Sequence, residues 1–283
     1  MISFRPQLLS SNPDKSLKPK IEFLRRVGFS ASDLTFIISK NPDVFTSSLA
    51  NQIVPAYGFL KGILGTGKAV ISITKRAPWL LHNDLHKKIG LKIGALQDHG
   101  VPDSSIYAMI KMQPRLFLAH SDRFTEALMK VKAMDFKTSS SSFYLALFAI
   151  VGMSKSKWEE KFELYRSFGW SDDNIFKKQP QIMNISKDKI RRMMDFFLKE
   201  PGLGLSIVSS CPAVMMLSLE KTIIPRYSVI HVLKSYGLVN KDVNLTTIWK
   251  LKEKKFLEKY IIKYQEKVPQ VLQVYQGKTV IGG

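Results

Sequence analysis

Pro78-Trp79-Leu80-Leu81 has near copies at a fixed distance: Pro42-Asp43-Val44-Phe45 lies 36 residues before it and Pro114-Arg115-Leu116-Phe117 lies 36 residues after it. Pro6-Gln7-Leu8-Leu9 extends the series one step further back. Every copy is a proline, one variable position and two apolar residues. The next step of 36 lands on Ile150, where the proline is missing, and the text resumes as Pro180-Gln181-Ile182-Met183 and Pro212-Ala213-Val214-Met215. Self-similarity at such a period marks a repeat array, in which each unit buries its apolar face only against its neighbours.

A second element runs in phase with the prolines. Ile21-Glu22-Phe23-Leu24-Arg25-Arg26-Val27-Gly28 returns as Ile93-Gly94-Ala95-Leu96-Gln97-Asp98-His99-Gly100, and Phe162 to Gly169 and Ile230 to Gly237 repeat it. Apolar residues at helical spacing closed by glycine describe an amphipathic helix with a left-handed cap. Ser30-Ala31-Ser32-Asp33-Leu34 and Ser171-Asp172-Asp173-Asn174-Ile175 then start a second helix, with a hydroxyl N-cap and an acid close behind it. That helix must stop before the next proline, because the residue preceding proline is pushed out of the α region. The unit is therefore helix, glycine cap, helix, proline turn. Stacked, such units predict an all-α fold, an α-solenoid of about seven to eight repeats curved into a superhelix. A single domain over residues 1–283 is expected, with a degenerate repeat around 138–157 and capping helices at about 246–275.

Charge narrows the function. The chain has 43 Lys and Arg against 23 Asp and Glu, a net +20, and a pI near 9.9. Folding does not require that surplus, and self-repulsion makes it mildly costly, so a polyanionic partner is expected. The longest apolar run, Phe143 to Val151, is too short to span a bilayer, which points away from a membrane partner. Cys211, the single cysteine, excludes an internal disulfide framework and a multi-cysteine zinc site. No paired carboxylates, nucleophile–base set or metal cluster stands out, so the chain reads as a non-enzyme without a cofactor. Met1-Ile2-Ser3-Phe4-Arg5-Pro6 has neither a signal-peptide core nor an Arg-rich presequence, as in a mature or trimmed chain.

The wording of the units resembles the mitochondrial transcription termination factor (mTERF) family, in its plant organellar branch. The likeness rests on the proline series, on Phe23 to Ser30, on Leu49-Ala50-Asn51-Gln52-Ile53-Val54-Pro55 and on His99-Gly100-Val101-Pro102. Gly152-Met153-Ser154-Lys155-Ser156-Lys157-Trp158, Met194-Asp195-Phe196-Phe197, Leu217-Ser218-Leu219-Glu220-Lys221 and Lys254-Lys255-Phe256-Leu257 add to it. The resemblance implies a superhelix whose basic concave face binds nucleic acid, double-stranded DNA or structured RNA, in mitochondria or alternatively chloroplasts. It also implies a role in transcription termination or RNA splicing. A monomer is expected, with protein partners of organellar gene expression possible, and a scaffold binding a protein in the same groove is the alternative.

Aligning the units on the glycine puts Arg25, Lys61, Gln97, Lys132, Arg166, Lys199 and Lys234 at one position of the last helical turn, nominally three before the glycine. All but Gln97 are basic, and equivalent positions of a solenoid fall on a line that a phosphate backbone could follow. Lys or Arg in a last turn is also favoured by the helix dipole, so the ladder faces either ligand or bulk solvent. Arg191 and Arg192 complete the candidate contacts, with Lys75/Arg76 and Lys177/Lys178 ranked below them. Lys250 to Lys267 carries Phe256, Tyr260 and Tyr264 at i, i+4 spacing and reads as a capping helix docked on the last repeat, its outer face a secondary nucleic-acid contact.

Three other signals carry less. Gly62-Ile63-Leu64-Gly65-Thr66-Gly67-Lys68-Ala69 nearly spells a phosphate-binding loop, but Ala69 replaces the metal-binding hydroxyl and a helix precedes it, which suits a connection between helices. His82 and His86 have zinc-ligand spacing, yet Asn83 stands where a zinc protease needs Glu. Most aromatic residues fall on the apolar phase of the helices and are expected in the core.

Overall fold

The computed structural model describes residues 12–82, 85–170 and 172–278, of which 85–88 and 172–174 by backbone alone. Pro6-Gln7-Leu8-Leu9, Asn83, the side chain of His86 and the Ser171 N-cap lie outside the described residues. Helices and turns account for all the regular structure described, with no strand among the described residues. The chain divides into two compact units, Met1–Gly152 and Met153–Gly283.

In the first unit the helix pairs are α1 (Lys18–Arg26) with α2 (Ala31–Lys40), α4 (Val54–Leu64) with α5 (Gly67–Arg76), α6 (Leu85–Asp98) with α7 (Asp103–Met112), and α8 (Ser121–Ala133) with α9 (Ser141–Val151). The short helix α3 (Asp43–Thr46) follows Pro42. First helices pack on first helices, α4 on α6 and α6 on α8, while second helices pack on second, α2 on α5 and α7 on α9. This is the stacking of an α-solenoid, in which each pair completes its core on the next. The second unit contains α10 (Lys155–Ser167) with α11 (Asp172–Lys178), α12 (Lys187–Lys199) with α13 (Leu205–Ser210), and α14 (Ile224–Ser235).

The prolines do what their recurrence predicts. Each second helix ends at the residue before proline, where Asn41, Ala77, Gln113, Gln179 and Cys211 take φ between −136° and −151° and leave the α region. After Pro42 comes α3, and after Pro78, Pro114, Pro180 and Pro212 one short 3-10 turn. The two apolar residues of the signature, such as Leu80/Leu81, Leu116/Phe117 and Ile182/Met183, are buried in every described copy. In the unit without a proline, α9 continues to Val151, and the guanidinium of Arg123 donates to the carbonyls of Ile150 and Val151 at its open end.

The glycines close the first helices as Schellman caps. At the first, Gly28 has φ +106°, its N–H donates to the Arg25 carbonyl at 3.0 Å, and the Phe29 N–H donates to the Leu24 carbonyl at 3.0 Å. Gly100, Gly169 and Gly237 repeat both bonds. Leu24 and Phe29, and Leu96 and Val101, are buried at their caps, and at the third cap Tyr165 stacks on Trp170 with ring centres 5.7 Å apart. In the degenerate repeat Asp135 takes the glycine's place with φ +60°, and its N–H donates to the Lys132 carbonyl.

Ser30 caps α2 with a complete capping box, the Asp33 N–H donating to Ser30 Oγ and the Ser30 N–H to the Asp33 carboxylate, both at 3.1 Å. Gly65 closes α4 and Thr66 caps α5, so the loop resembling a phosphate cradle joins helix to helix. In the Ser-rich stretch, Ser140 caps α9 and Ser141 already lies within that helix.

Three first helices are entered through a single π turn: Pro13–Leu17 before α1, Leu49–Ile53 before α4 and Leu219–Ile223 before α14. Each is followed at the second helical position by proline, namely Pro19, Pro55 and Pro225. A proline there donates no N–H and its ring excludes the carbonyl four residues back, so the chain widens by one residue ahead of it.

At the C-terminus, α15 (Leu245–Trp249), α16 (Glu253–Phe256) and α17 (Val271–Tyr275) cover α14. Phe256 and Tyr260 are buried against Val229, Ile230 and Leu233, and Tyr264 donates its hydroxyl to the Leu238 carbonyl at 3.1 Å. The aromatic stripe docks on the last repeat as its spacing predicts.

Candidate nucleic-acid interface

The basic residues fall into three sets by what their charged ends touch. The first set turns inward. Lys20 is buried and donates to the Phe45 carbonyl at 2.6 Å, and Lys92 is buried and donates to the Phe117 carbonyl at 2.9 Å. Lys161 is half-buried and reaches the Met183 and Ile185 carbonyls at 2.5 and 2.6 Å. In each case a lysine of a first helix satisfies the open carbonyls of the proline turn that follows. Burial draws the Lys20 and Lys161 ammonium groups below their ordinary value. Arg226, 3% exposed, plays the same part at the C-terminal cap. It donates to the carbonyls of Ile248, Trp249 and Leu251, pairs with Glu253 at 2.8 Å and lies 4.8 Å from the centre of the Phe256 ring.

A second set ties one repeat to the next. Arg76, at the end of α5, donates to the carbonyls of Lys111 and Met112 at the end of α7. Lys178 donates to the Ser209 carbonyl at the end of α13. Lys75 pairs with Asp33 of α2 at 2.6 Å, and together with the Ser30 hydrogen bonds this draws the Asp33 carboxyl down to about 2. Arg192 pairs with Asp188 at 3.1 Å and Glu220 at 2.5 Å. Its neighbour Arg191 is exposed.

The third set is the ladder. Arg25, Gln97, Lys132, Arg166 and Lys199 are exposed and Lys234 is half-buried. Arg25, Gln97, Lys132, Arg166 and Lys234 occupy one structural position, the residue whose carbonyl accepts the N–H of the left-handed residue of the cap. Two rungs stand elsewhere. Lys61 is four residues before Gly65, whose N–H donates to the Lys61 carbonyl in a shorter cap, so its side chain is turned about 100° from the line. Lys199 ends α12 ahead of a tight turn in which the Leu203 N–H donates to the Glu200 carbonyl, with Pro201 and left-handed Gly202 at its centre. Arg166 lies 5.9 Å from the centre of the Phe162 ring.

Between the second helices of the first unit lies a cleft of about 550 Å³, lined by Phe36, Lys40, Asn41, Lys75, Arg76, Pro78, Trp79 and Arg115. Four of those eight residues are basic and none is acidic. A neighbouring cleft of about 230 Å³ shares Arg76 and adds Lys68 and Lys111. The repeat explains the clustering: Lys40, Lys75, Arg76 and Lys111 sit in the last turns of successive second helices, where cations suit the helix dipole. Arg115 joins them from the variable position of its proline turn. The sequence placed Lys75 and Arg76 below the ladder, and Lys40 and Arg115 outside the candidates, because only stacking brings residues 36 and 75 positions apart to one opening.

Other signals resolve plainly. His82 bonds Asn41 at 3.0 Å between consecutive units. Among the described residues no group of three or more His, Cys, Asp or Glu comes together, and no helix is long and apolar enough to cross a membrane.

Stacked helix pairs punctuated by glycine caps and proline turns, with exposed cations at the helix ends, define the class as an all-α repeat solenoid. The family model described as mTERF matches residues 1–173 and 145–257, and the chain belongs to the mTERF family. It is similar to the chloroplastic transcription termination factor MTERF8 of Arabidopsis thaliana, 21% identical over 241 residues, which cover 84% of this chain and 48% of that protein. It is also similar to the mitochondrial transcription termination factor MTERF15 of the same plant, 25% identical over 182 residues, covering 62% of this chain and 40% of that protein. The chain thus spans about half the length of these relatives, or less.

Proposed function

We propose that this chain binds nucleic acid in an organelle, either mitochondrion or chloroplast, and acts there on transcription or RNA processing. The observation that carries the reading is the cleft lined by Lys40, Lys75, Arg76 and Arg115 and by no carboxylate, in which Lys75 is held by Asp33 from outside the lining while Lys40 and Arg115 are exposed. A net charge of +20 surrounds it. Part of that charge is internal, since Lys20, Lys92, Lys161 and Arg226 serve backbone carbonyls. The exposed remainder includes Lys40 and Arg115 of the cleft and the rungs Arg25 and Lys132, whose charges can meet phosphate. Family membership supports the same reading, as do one relative named for the chloroplast and one for the mitochondrion. A protein occupying the same cleft would need an acidic surface to match it.

A mobility-shift titration with duplex DNA and structured RNA over a salt series tests this. Binding that weakens steeply as salt rises supports the reading, whereas no binding at low salt, or binding indifferent to salt, rejects it.

A further inference from the structure

We infer that the cleft holds an unpaired nucleotide, its base against Trp79 and Phe36 and its phosphates on Lys40, Arg76 and Arg115; this rests on the nucleic-acid reading above. The two aromatic rings stand where the fold asks for none. Trp79 fills the variable position of the proline turn, which the other copies occupy with Gln7, Asp43, Arg115, Gln181 and Ala213. That position lies outside the buried pair Leu80/Leu81, and the Trp79 side chain is half-buried, with its indole N–H bonded to nothing among the described residues. Phe36 lies six residues before its proline, where the other units carry Ser72, Ala108, Asn174 and Ser206. It is 41% exposed. Two rings departing from the small and polar residues of their register, in different repeats, converge on one opening.

The cations around them make the choice of occupant. The Lys40 ammonium lies 5.9 Å from the Phe36 ring centre, and the guanidinium of Arg76 is fixed by its bonds to the Lys111 and Met112 carbonyls. Arg115 is exposed at the rim. A flat aromatic surface ringed by positive charge fits a base with its phosphates, because every base has a π face and every nucleotide a negative charge. A base paired inside a duplex cannot present that face, so the cleft selects single strands, bulges and loops.

Intrinsic fluorescence reads this directly, because Trp158, Trp170 and Trp249 are buried and Trp79 is the half-exposed tryptophan of four. Adding a 20-nucleotide oligo-dT or oligo-U to the full chain is expected to quench part of the emission. The Trp79→Phe variant is expected to bind the strand within about threefold of the parent without that quench. Trp79→Ala should bind it about tenfold more weakly. A blunt duplex should bind both variants as it binds the parent, and a free mononucleotide at equal nucleotide concentration should not quench. The inference is overturned if Trp79→Ala binds the single strand as tightly as the parent, if the quench survives in Trp79→Phe, or if duplex or mononucleotide quenches as strongly. Retained salt-dependent binding alongside any of these rejects the nucleotide site alone. Absence of binding to strand and duplex at low salt rejects the underlying reading with it.

Discussion

The buried ammonium of Lys92 donates to the carbonyl of Phe117 at 2.9 Å, joining a first helix to the proline turn that closes its own repeat. The same join recurs between Lys20 and Phe45 and between Lys161 and Met183. A residue type that composition counts toward ligand binding is here part of the frame. Replacing Lys92 with Met leaves the Phe117 carbonyl buried without its donor, at a cost of about 2 kcal/mol. Lys132→Met, on an exposed rung, should stay within about 0.5 kcal/mol of the parent. Urea denaturation of the two variants checks the contrast, and equal costs would contradict it.

Arg226 is a larger case, since three carbonyls, Glu253 and the Phe256 ring converge on one guanidinium. Arg226→Ala is expected to destabilise by about 3–5 kcal/mol, because the carbonyls of Ile248, Trp249 and Leu251 lose their common donor. Hydrogen exchange should show residues 245–275 losing protection before the helices preceding them. Unchanged protection there would show that the cap does not depend on this residue.

Asp135 holds φ +60° where the other Schellman caps use glycine. Asp135→Gly removes a left-handed strain and should stabilise by about 0.5–1 kcal/mol, while Gly100→Ala should cost about 1 kcal/mol. Thermal melts of the pair should move in opposite directions.

Tyr165 and Tyr227 give the fold an alkaline limit. Burial raises both phenols, Tyr165 most and Tyr227 to about 12 with the help of the Glu200 charge, while their hydroxyls donate to the Ile182 and Pro201 carbonyls. A raised folded value means stability that is complete below the ordinary tyrosine value of about 10 and is lost as pH climbs through the folded one. Tyr275, raised by burial and its hydrogen bond to Glu253, joins them, so tyrosinate absorbance at 295 nm should show three of the nine tyrosines ionising late, together with loss of helical signal between about pH 10 and 12. Ionisation of all nine near pH 10 with the helices intact would contradict it.

The features written in consecutive residues were legible in the sequence. The variable-then-apolar-pair text after each proline named buried residues, and the glycines named Schellman caps, because both are local rules of φ and of helix ends. The inward lysines were harder to see, although a trace existed. Lys20, Lys92 and Lys161 each stand eight residues before the capping glycine, and Lys20 shares the apolar phase of Phe23 and Leu24. A charge on that phase signals a satisfied interior partner. Most residues of the ladder share one cap position, while Lys61 and Lys199 stand off it, where the helix ends in a different cap or turn. The cleft could not be read at all, since Lys40 and Arg115 meet only through the stacking of successive second helices.

If exposed cations of the cleft, rather than total charge, hold the phosphates, as proposed, removing them flattens the salt dependence of binding. Measuring the slope of log affinity against log salt for the Lys40→Gln/Arg115→Gln double variant tests it most directly, with Lys92→Met as the control for a buried charge. Two lost phosphate contacts predict a slope shallower by about 1.5 to 2, with the control unchanged. A slope equal to the parent's in the double variant would mean that Lys40 and Arg115 do not hold phosphate.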